Sequence, residues 1–173
     1  MPNTMTLIAS STVGAGGAAS IDFTSIPQTY TDLQIFFSGR TTSNAGQTWA
    51  PVRPTFNGSS ATWSYRGLYG DGSSGSSSEN TSSSEFGQNS SSLSTANTFS
   101  STVVYIPNYT GSTAKSSSTD SVSENNATSA LASLIADLWN TTSAITSISL
   151  AVPSAYGLWA QYSTAYLYGI SKS

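Results

Sequence analysis

Enzyme chemistry needs groups that take up protons, hold metals or attack carbonyls, and this chain has few of them. It contains no histidine and no cysteine. That removes the commonest general base and metal ligand, the Ser-His-Asp triad, thiolate nucleophiles, thiolate metal sites and disulfides. Eight acids and five basic residues remain. Glycoside chemistry would require two carboxyls about 5 Å or about 6.5–9.5 Å apart across a cleft. Asp71, Glu79 and Glu124 fall in expected turns, and Asp22 and Asp32 at strand ends. A pair stays open, but solvated acids are the favoured reading. Asp71-Gly72 with Glu79 and Asn80 lacks the spacing and terminal glutamate of a calcium loop. The basic residues Arg40, Arg53, Arg66, Lys115 and Lys172 are scattered and form no stripe for nucleic acid. The expectation is a protein that is not an enzyme, with no catalytic, cofactor-binding or metal residues and no nucleic-acid partner.

The aromatic side chains are the remaining candidates. Trp49, Trp63, Tyr65, Tyr69, Tyr109, Trp159 and Tyr162 fall at expected strand ends or loops. Such rings fill cores, anchor protein–protein contacts or stack on sugars. All three uses are open, with contacts between protomers weighted above sugar binding. Phe36 joins them because it breaks the polar side of an otherwise alternating strand. The interface or ligand-contact candidates are Phe36, Trp49, Trp63, Tyr109 and Trp159.

Serine and threonine together make up about a third of the 173 residues, and only 8 % are charged, against about 25 % in an ordinary soluble protein. Aromatics at 11 % and a net charge of −3 argue against disorder. A surface kept in solution by hydroxyls has little repulsion against association, which suits a protein packed on copies of itself or on a larger particle. Adaptation to a salty or nitrogen-poor setting is the alternative. The N-terminus lacks the charged and apolar regions of a signal peptide, and no stretch reaches a membrane span. Synthesis in a cytoplasm and no membrane partner are expected. The six Asn-X-Ser/Thr sites, at Asn57, Asn80, Asn89, Asn108, Asn126 and Asn140, follow from the hydroxyl content.

The elements that must position these residues read as strands. Ser101–Thr110 (STVVYIPNYT) is the most core-like run, apolar on both faces and stopped by Pro107. It predicts a central strand with a covering layer on each side. Asp32–Ser38 alternates, with Leu33, Ile35 and Phe37 inward. Thr6–Ser10, Ser20–Phe23, Ala144–Val152 and Thr164–Ile170 are further strands. Trp49–Asn57 carries two prolines and belongs on an edge, joined by an Asn57-Gly58 hairpin to Ala61–Leu68. Thr113–Ser123 reads as a serine-rich edge strand. Ser129–Trp139 fits both helix and strand spacing, with strand preferred. The serine-rich stretch at about 70–98 is read as a long loop or polar hairpin pinned by Phe86 and Leu93. Nine or ten short strands with turns between them predict one all-β domain over 1–173, an antiparallel β-sandwich of jelly-roll type.

The segments TLIASSTVG (Thr6–Gly14), ASIDFTSIPQTYTDL (Ala19–Leu33), FNG (Phe56–Gly58), ANTFSSTVVYIPNYT (Ala96–Thr110), ENNAT (Glu124–Thr128), LWNTTSAITSISL (Leu138–Leu150) and LYGI (Leu167–Ile170) resemble small virion structural proteins of tailed bacteriophages, many of them of aquatic bacteria. The likeness runs in order through most of the chain except Gly70–Ser94. It implies a non-enzymatic β-sandwich on the virion surface, either a capsid decoration (cement) protein or part of a fibre or tail. The implied partners are the major capsid protein or other virion proteins, in a homotrimer or other symmetric oligomer. A host or environmental glycan is the alternative ligand, recognised by an adhesin-like tip. The resemblance carries no catalytic residues.

Overall fold

Alternation of apolar and small polar residues, with glycine, proline and asparagine between the runs, folds this chain into strands. The computed structural model describes residues 4–43 and 46–171, and Lys172 lies outside them. Thirteen strands are formed among the described residues, more than the nine or ten expected, and all their ladders are antiparallel. They are β1 (Met5–Thr12), β2 (Ser20–Phe23), β3 (Asp32–Ser38), β4 (Trp49–Pro51), β5 (Arg53–Phe56), β6 (Trp63–Gly70) and β7 (Gly75–Asn80). β8 (Gln88–Ser90), β9 (Ser101–Ile106), β10 (Lys115–Glu124), β11 (Ala130–Trp139), β12 (Ile148–Ala151) and β13 (Thr164–Ile170) follow. The fold is all-β and antiparallel, and sandwich-like.

One eight-stranded sheet, in the order β1-β13-β3-β9-β10-β11-β6-β7, makes most of the molecule. The three-stranded sheet β2-β12-β5 and the pair β4-β8 are separate. The core unites inward residues of the large sheet (Leu33, Ile35, Val104, Ile106, Leu167) with those of the small one (Ile21, Phe23, Phe56, Ile148, Leu150).

β9 lies fourth in the large sheet, a central strand as expected. Only one of its faces is covered. Thr102, Val104 and Ile106 are buried, whereas Tyr105 is 37 % exposed. The segment 129–139 is strand β11, held through ten residue pairs to β10 and eight to β6. β10 is not an edge strand but sits between β9 and β11. Its serines point inward: Ser117, Thr119, Ser121 and Ser123 are buried, alternating with exposed Ser116, Ser118, Asp120, Val122 and Glu124.

The reason lies in the serine-rich stretch. β6 and β7 form the polar hairpin, closed by Asp71, whose carboxylate accepts from the backbone N–H groups of Ser73 (2.9 Å) and Ser74 (2.7 Å). After it, residues 84–91 run across the inner face as a strap, buried apart from the half-buried Gln88. Phe86 N–H donates to the Val52 carbonyl and Val52 N–H to the Gly87 carbonyl, at 2.9 and 3.0 Å, so the strap is bonded to the residue that links β4 to β5. Ser121 and Ser123 donate to the Gln88 carbonyl, and Ser90 to the Glu124 carbonyl. Gly87 (φ 82°) lies so close that a Cβ there would sit 2.5 Å from Ser121 Cβ. Small hydroxyl residues on β10 thus admit a chain segment directly onto the sheet and satisfy its carbonyls.

Phe86 pins this strap, fully buried, but Leu93 does not and is 50 % exposed. Glu79 lies in β7 rather than in a turn. Asn57 and Gly58 adopt the positive φ angles (53° and 72°) of a tight turn, but β5 and β6 belong to different sheets. The turn therefore hands the chain from one layer to the other. The Asn57 carboxamide secures it, donating to the Ala144 carbonyl (2.8 Å) and accepting from Thr146 and Ser147 N–H. β5, with Pro54, is the edge strand its prolines predict.

Candidate interaction surface

The five aromatic candidates do not share one surface. Trp63 is the hub of a buried cluster, with ring centroids 4.7 Å from Phe56, 6.3 Å from Trp139 and 6.4 Å from Phe86. Trp159 is buried, donates from Nε1 to the Leu150 carbonyl (2.8 Å) and meets Phe37 edge-on. Tyr109 is buried and its hydroxyl donates to the Pro27 carbonyl. These three rings are interior side chains, because turns at the sheet ends fold back over the core instead of projecting. Trp49 is half-buried on the β4–β8 pair. Phe36 alone stands on the outer face of the large sheet, edge-on to Tyr168 at 5.7 Å.

That outer face gathers residues that sequence reasoning missed. Cross-strand register aligns Leu7, Tyr168, Gln34, Tyr105, Ser118, Ala136, Arg66 and Glu79 in one row. The adjacent row reads Ser10, Tyr166, Phe36, Val103, Asp120, Leu134, Leu68 and Ser77. Leu68 is 61 % and Leu134 57 % exposed, and Leu7, Val122, Leu138 and Tyr166 are exposed with them. A groove of about 580 Å³ lies over β6, β7, β10 and β11, lined by Leu68, Leu134, Ala136, Arg66, Glu79 and Ser118 among others. Isolated exposed leucines are ordinary, but a contiguous apolar field marks a contact surface. The available signal was the pairing of Leu134 and Leu138 on one parity of β11 with Ile135 and Trp139 on the other, an apolar pattern on both faces.

Charge on this face is sparse. Arg66 Nε lies 2.9 Å from Glu79 Oε2, both side chains solvent-exposed. Asp32 accepts from the Tyr105 hydroxyl (2.7 Å) and from Asn108 N–H (2.8 Å). The carboxylate raises the Tyr105 pKa by holding its proton. Asp120 stands between Val103 and Leu134.

The inner face brings together an acidic pair, Glu85 and Asp137, two acids that sequence spacing did not single out. Glu85, 2 % exposed, accepts from the Tyr69 hydroxyl (3.0 Å) and Gln88 Nε2 (2.6 Å) and lies 3.2 Å from Arg53 Nη1. Its backbone N–H donates to Asp137 Oδ1 at 2.8 Å. Gly67 makes room for the Tyr69 ring, since a Cβ there would lie 2.5 Å from the phenol oxygen. Burial first, then the Glu85 charge, pushes the Tyr69 pKa far up. Asp137 is 3 % exposed and its Oδ2 has no partner. Burial, opposed in part by the Glu85 N–H bond, raises its pKa to about 7. This cluster is enclosed by the strap, and its hydrogen bonds are spent on fastening it. Lys115 is likewise interior: it donates to the Gly111 and Thr113 carbonyls at 2.7 and 2.5 Å, and burial lowers its pKa.

Among the described residues no group of three or more His, Cys, Asp or Glu side chains is placed to hold a metal, and no helix is long and apolar enough to cross a membrane. Compared with protein-family models, with curated proteins and with solved structures, the chain finds no match in any of the three.

Proposed function

We propose that this chain is a non-enzymatic structural protein of a bacteriophage particle, a capsid decoration protein that docks through the open face of its large sheet. One observation carries the docking: an eight-stranded sheet whose outer face leaves Leu68, Leu134, Leu138, Tyr105 and Tyr166 in water. Eight strands spaced about 4.8 Å apart and about seven residues long span about 900 Å² of sheet plane. A partner in a standard interface contributes about 800 Å². The sequence resemblance to virion proteins supplies the particle, and the low charge supports a life in close packing.

Antibodies raised against the purified protein test the reading on intact particles of the phage that encodes it. Labelling over the capsid supports decoration, labelling at a fibre or tail moves the same docking face to that structure, and unlabelled particles overturn the virion reading. A particle assembled with the Leu68→Ser/Leu134→Ser double variant is expected to lose the protein.

A second reading rests on Tyr105 and Tyr166, exposed on the same face near Gln34, Ser118 and Asp120, a grouping that suits a sugar chain. A glycan array with wild type and Tyr105→Ala separates it: specific sugar binding lost on substitution favours an adhesin-like module.

A further inference from the structure

We infer that the free edge of β7 pairs antiparallel with β7 of a second copy of this chain, making a two-fold dimer by strand addition. The inference goes beyond the docking of the outer face and does not depend on what that face meets. β7 ends the eight-stranded sheet and pairs with β6 alone, so its other side presents backbone N–H and C=O groups that no described strand takes up. Gly75 to Glu79 are all exposed. Two other edges are blunted. β1, at the opposite end of the same sheet, is interrupted by a register shift between Leu7 and Ala9, and β5, at an edge of the small sheet, carries Pro54. β7 has no proline, lysine or arginine, and its register with β6 runs unbroken from Gly75 to Asn80.

The strand also tolerates its own copy. Glu79 is its one charged residue, and Oε2 lies 2.9 Å from Arg66 Nε of the same chain. In every two-fold register that pairs at least four of the six residues, Glu79 falls opposite a serine or glycine of the copy, never opposite its own mate. Serine hydroxyls facing one another across the new ladder add cross-strand hydrogen bonds. The axis of such a pair stands perpendicular to the sheet, so the outer faces of both copies turn the same way. Ser77, Ser78 and Glu79 line the groove that holds Leu68 and Leu134. The dimer therefore sets two such grooves side by side on one continuous sheet. A second copy is the occupant this geometry favours, because an identical partner brings a second apolar face to the same side.

The chain has no cysteine of its own, so single cysteines report the contact directly. Full-length Ser76→Cys, Ser77→Cys and Ser78→Cys variants, and Ser10→Cys on the bulged β1 edge, are oxidised at equal concentration. Residues facing across an antiparallel ladder lie about 4.5–5.5 Å apart at Cα, within disulfide reach. Crosslinked dimer is expected about tenfold faster from at least one β7 variant than from Ser10→Cys. Sedimentation of the cysteine-free wild type is expected to show a dimer that Ser78→Asp dissociates, by adding acid beside the axis, while the far-ultraviolet spectrum stays unchanged. Equal crosslinking at Ser10 and at the β7 positions overturns the inference, as does a wild type that stays monomeric at about 1 mM. A dimer that Leu134→Ser dissociates and Ser78→Asp does not overturns it in favour of packing face to face. Particles play no part in these measurements, so the virion reading stands or falls separately.

Discussion

Asp137 sits where an acid resists ionisation, on the inward parity of β11 under the strap, with one oxygen bonded to Glu85 N–H and the other unpartnered. Its pKa is about 7 in the folded chain against 3.8 for a free aspartate. Between those values the folded state holds a proton that the unfolded state has released. The stabilising contribution is whole below about pH 4 and is lost as pH rises through about 7. The shift corresponds to an upper bound of about 4 kcal/mol. Asp137→Asn keeps an acceptor for Glu85 N–H and cannot ionise. It is expected to flatten the fall in urea midpoint between pH 4 and pH 7.5 and to exceed wild type at the upper end. Buried and exposed apolar residues separate just as clearly. Trp63→Ala, at the centre of the aromatic cluster, is expected to cost about 3–5 kcal/mol. Leu134→Ser, on the open face, is expected to stay within about 0.5 kcal/mol. Chemical denaturation of both variants checks the pair.

At the scale of elements, the strap decides how the large sheet is built. Phe86→Ala removes its anchor and is expected to cost about 3–5 kcal/mol, while Leu93→Ala, half in water, shifts the same urea midpoint little. Gly87→Ala adds a strained φ and a collision with Ser121 Cβ, and it is expected to loosen residues 84–91 first, read by hydrogen exchange at Phe86 and Val52. Strands whose apolar residues obey one period were legible from the sequence: β2, β3 and β13 begin and end at the residues expected. β10 was misread as an edge because its inward residues are serine and threonine, and alternation alone does not say that a backbone segment will cover them. The same blindness hid Glu85 and Asp137, since nothing local in SSSEF or LIADLW announces a partner about fifty residues away. The burial of three of the aromatic candidates escaped the sequence for a related reason. Trp63, Tyr109 and Trp159 are near turns in sequence, but whether a turn projects or folds inward is fixed by long-range packing.

For the whole molecule, the division of labour is between two faces of one sheet. The inner face is closed by a small sheet and a strap, and none of the described residues covers the outer face. β1 and β13, the first and last strands, lie side by side from Met5↔Ile170 to Thr12↔Thr164, and Ser171 N–H donates to the Thr4 carbonyl at 2.9 Å. Thr4 and Ser171 thus lie side by side in space. A linker of a few residues from Ser171 to Thr4 would let the order of elements be rewired, with new ends opened at Gly72 in the β6–β7 turn. Such a circular permutant is expected to keep the wild-type far-ultraviolet spectrum and to melt within a few degrees of it. It would carry any fused cargo at the tip of that hairpin, at the β7 edge of the sheet, rather than at the β1–β13 seam on the opposite edge.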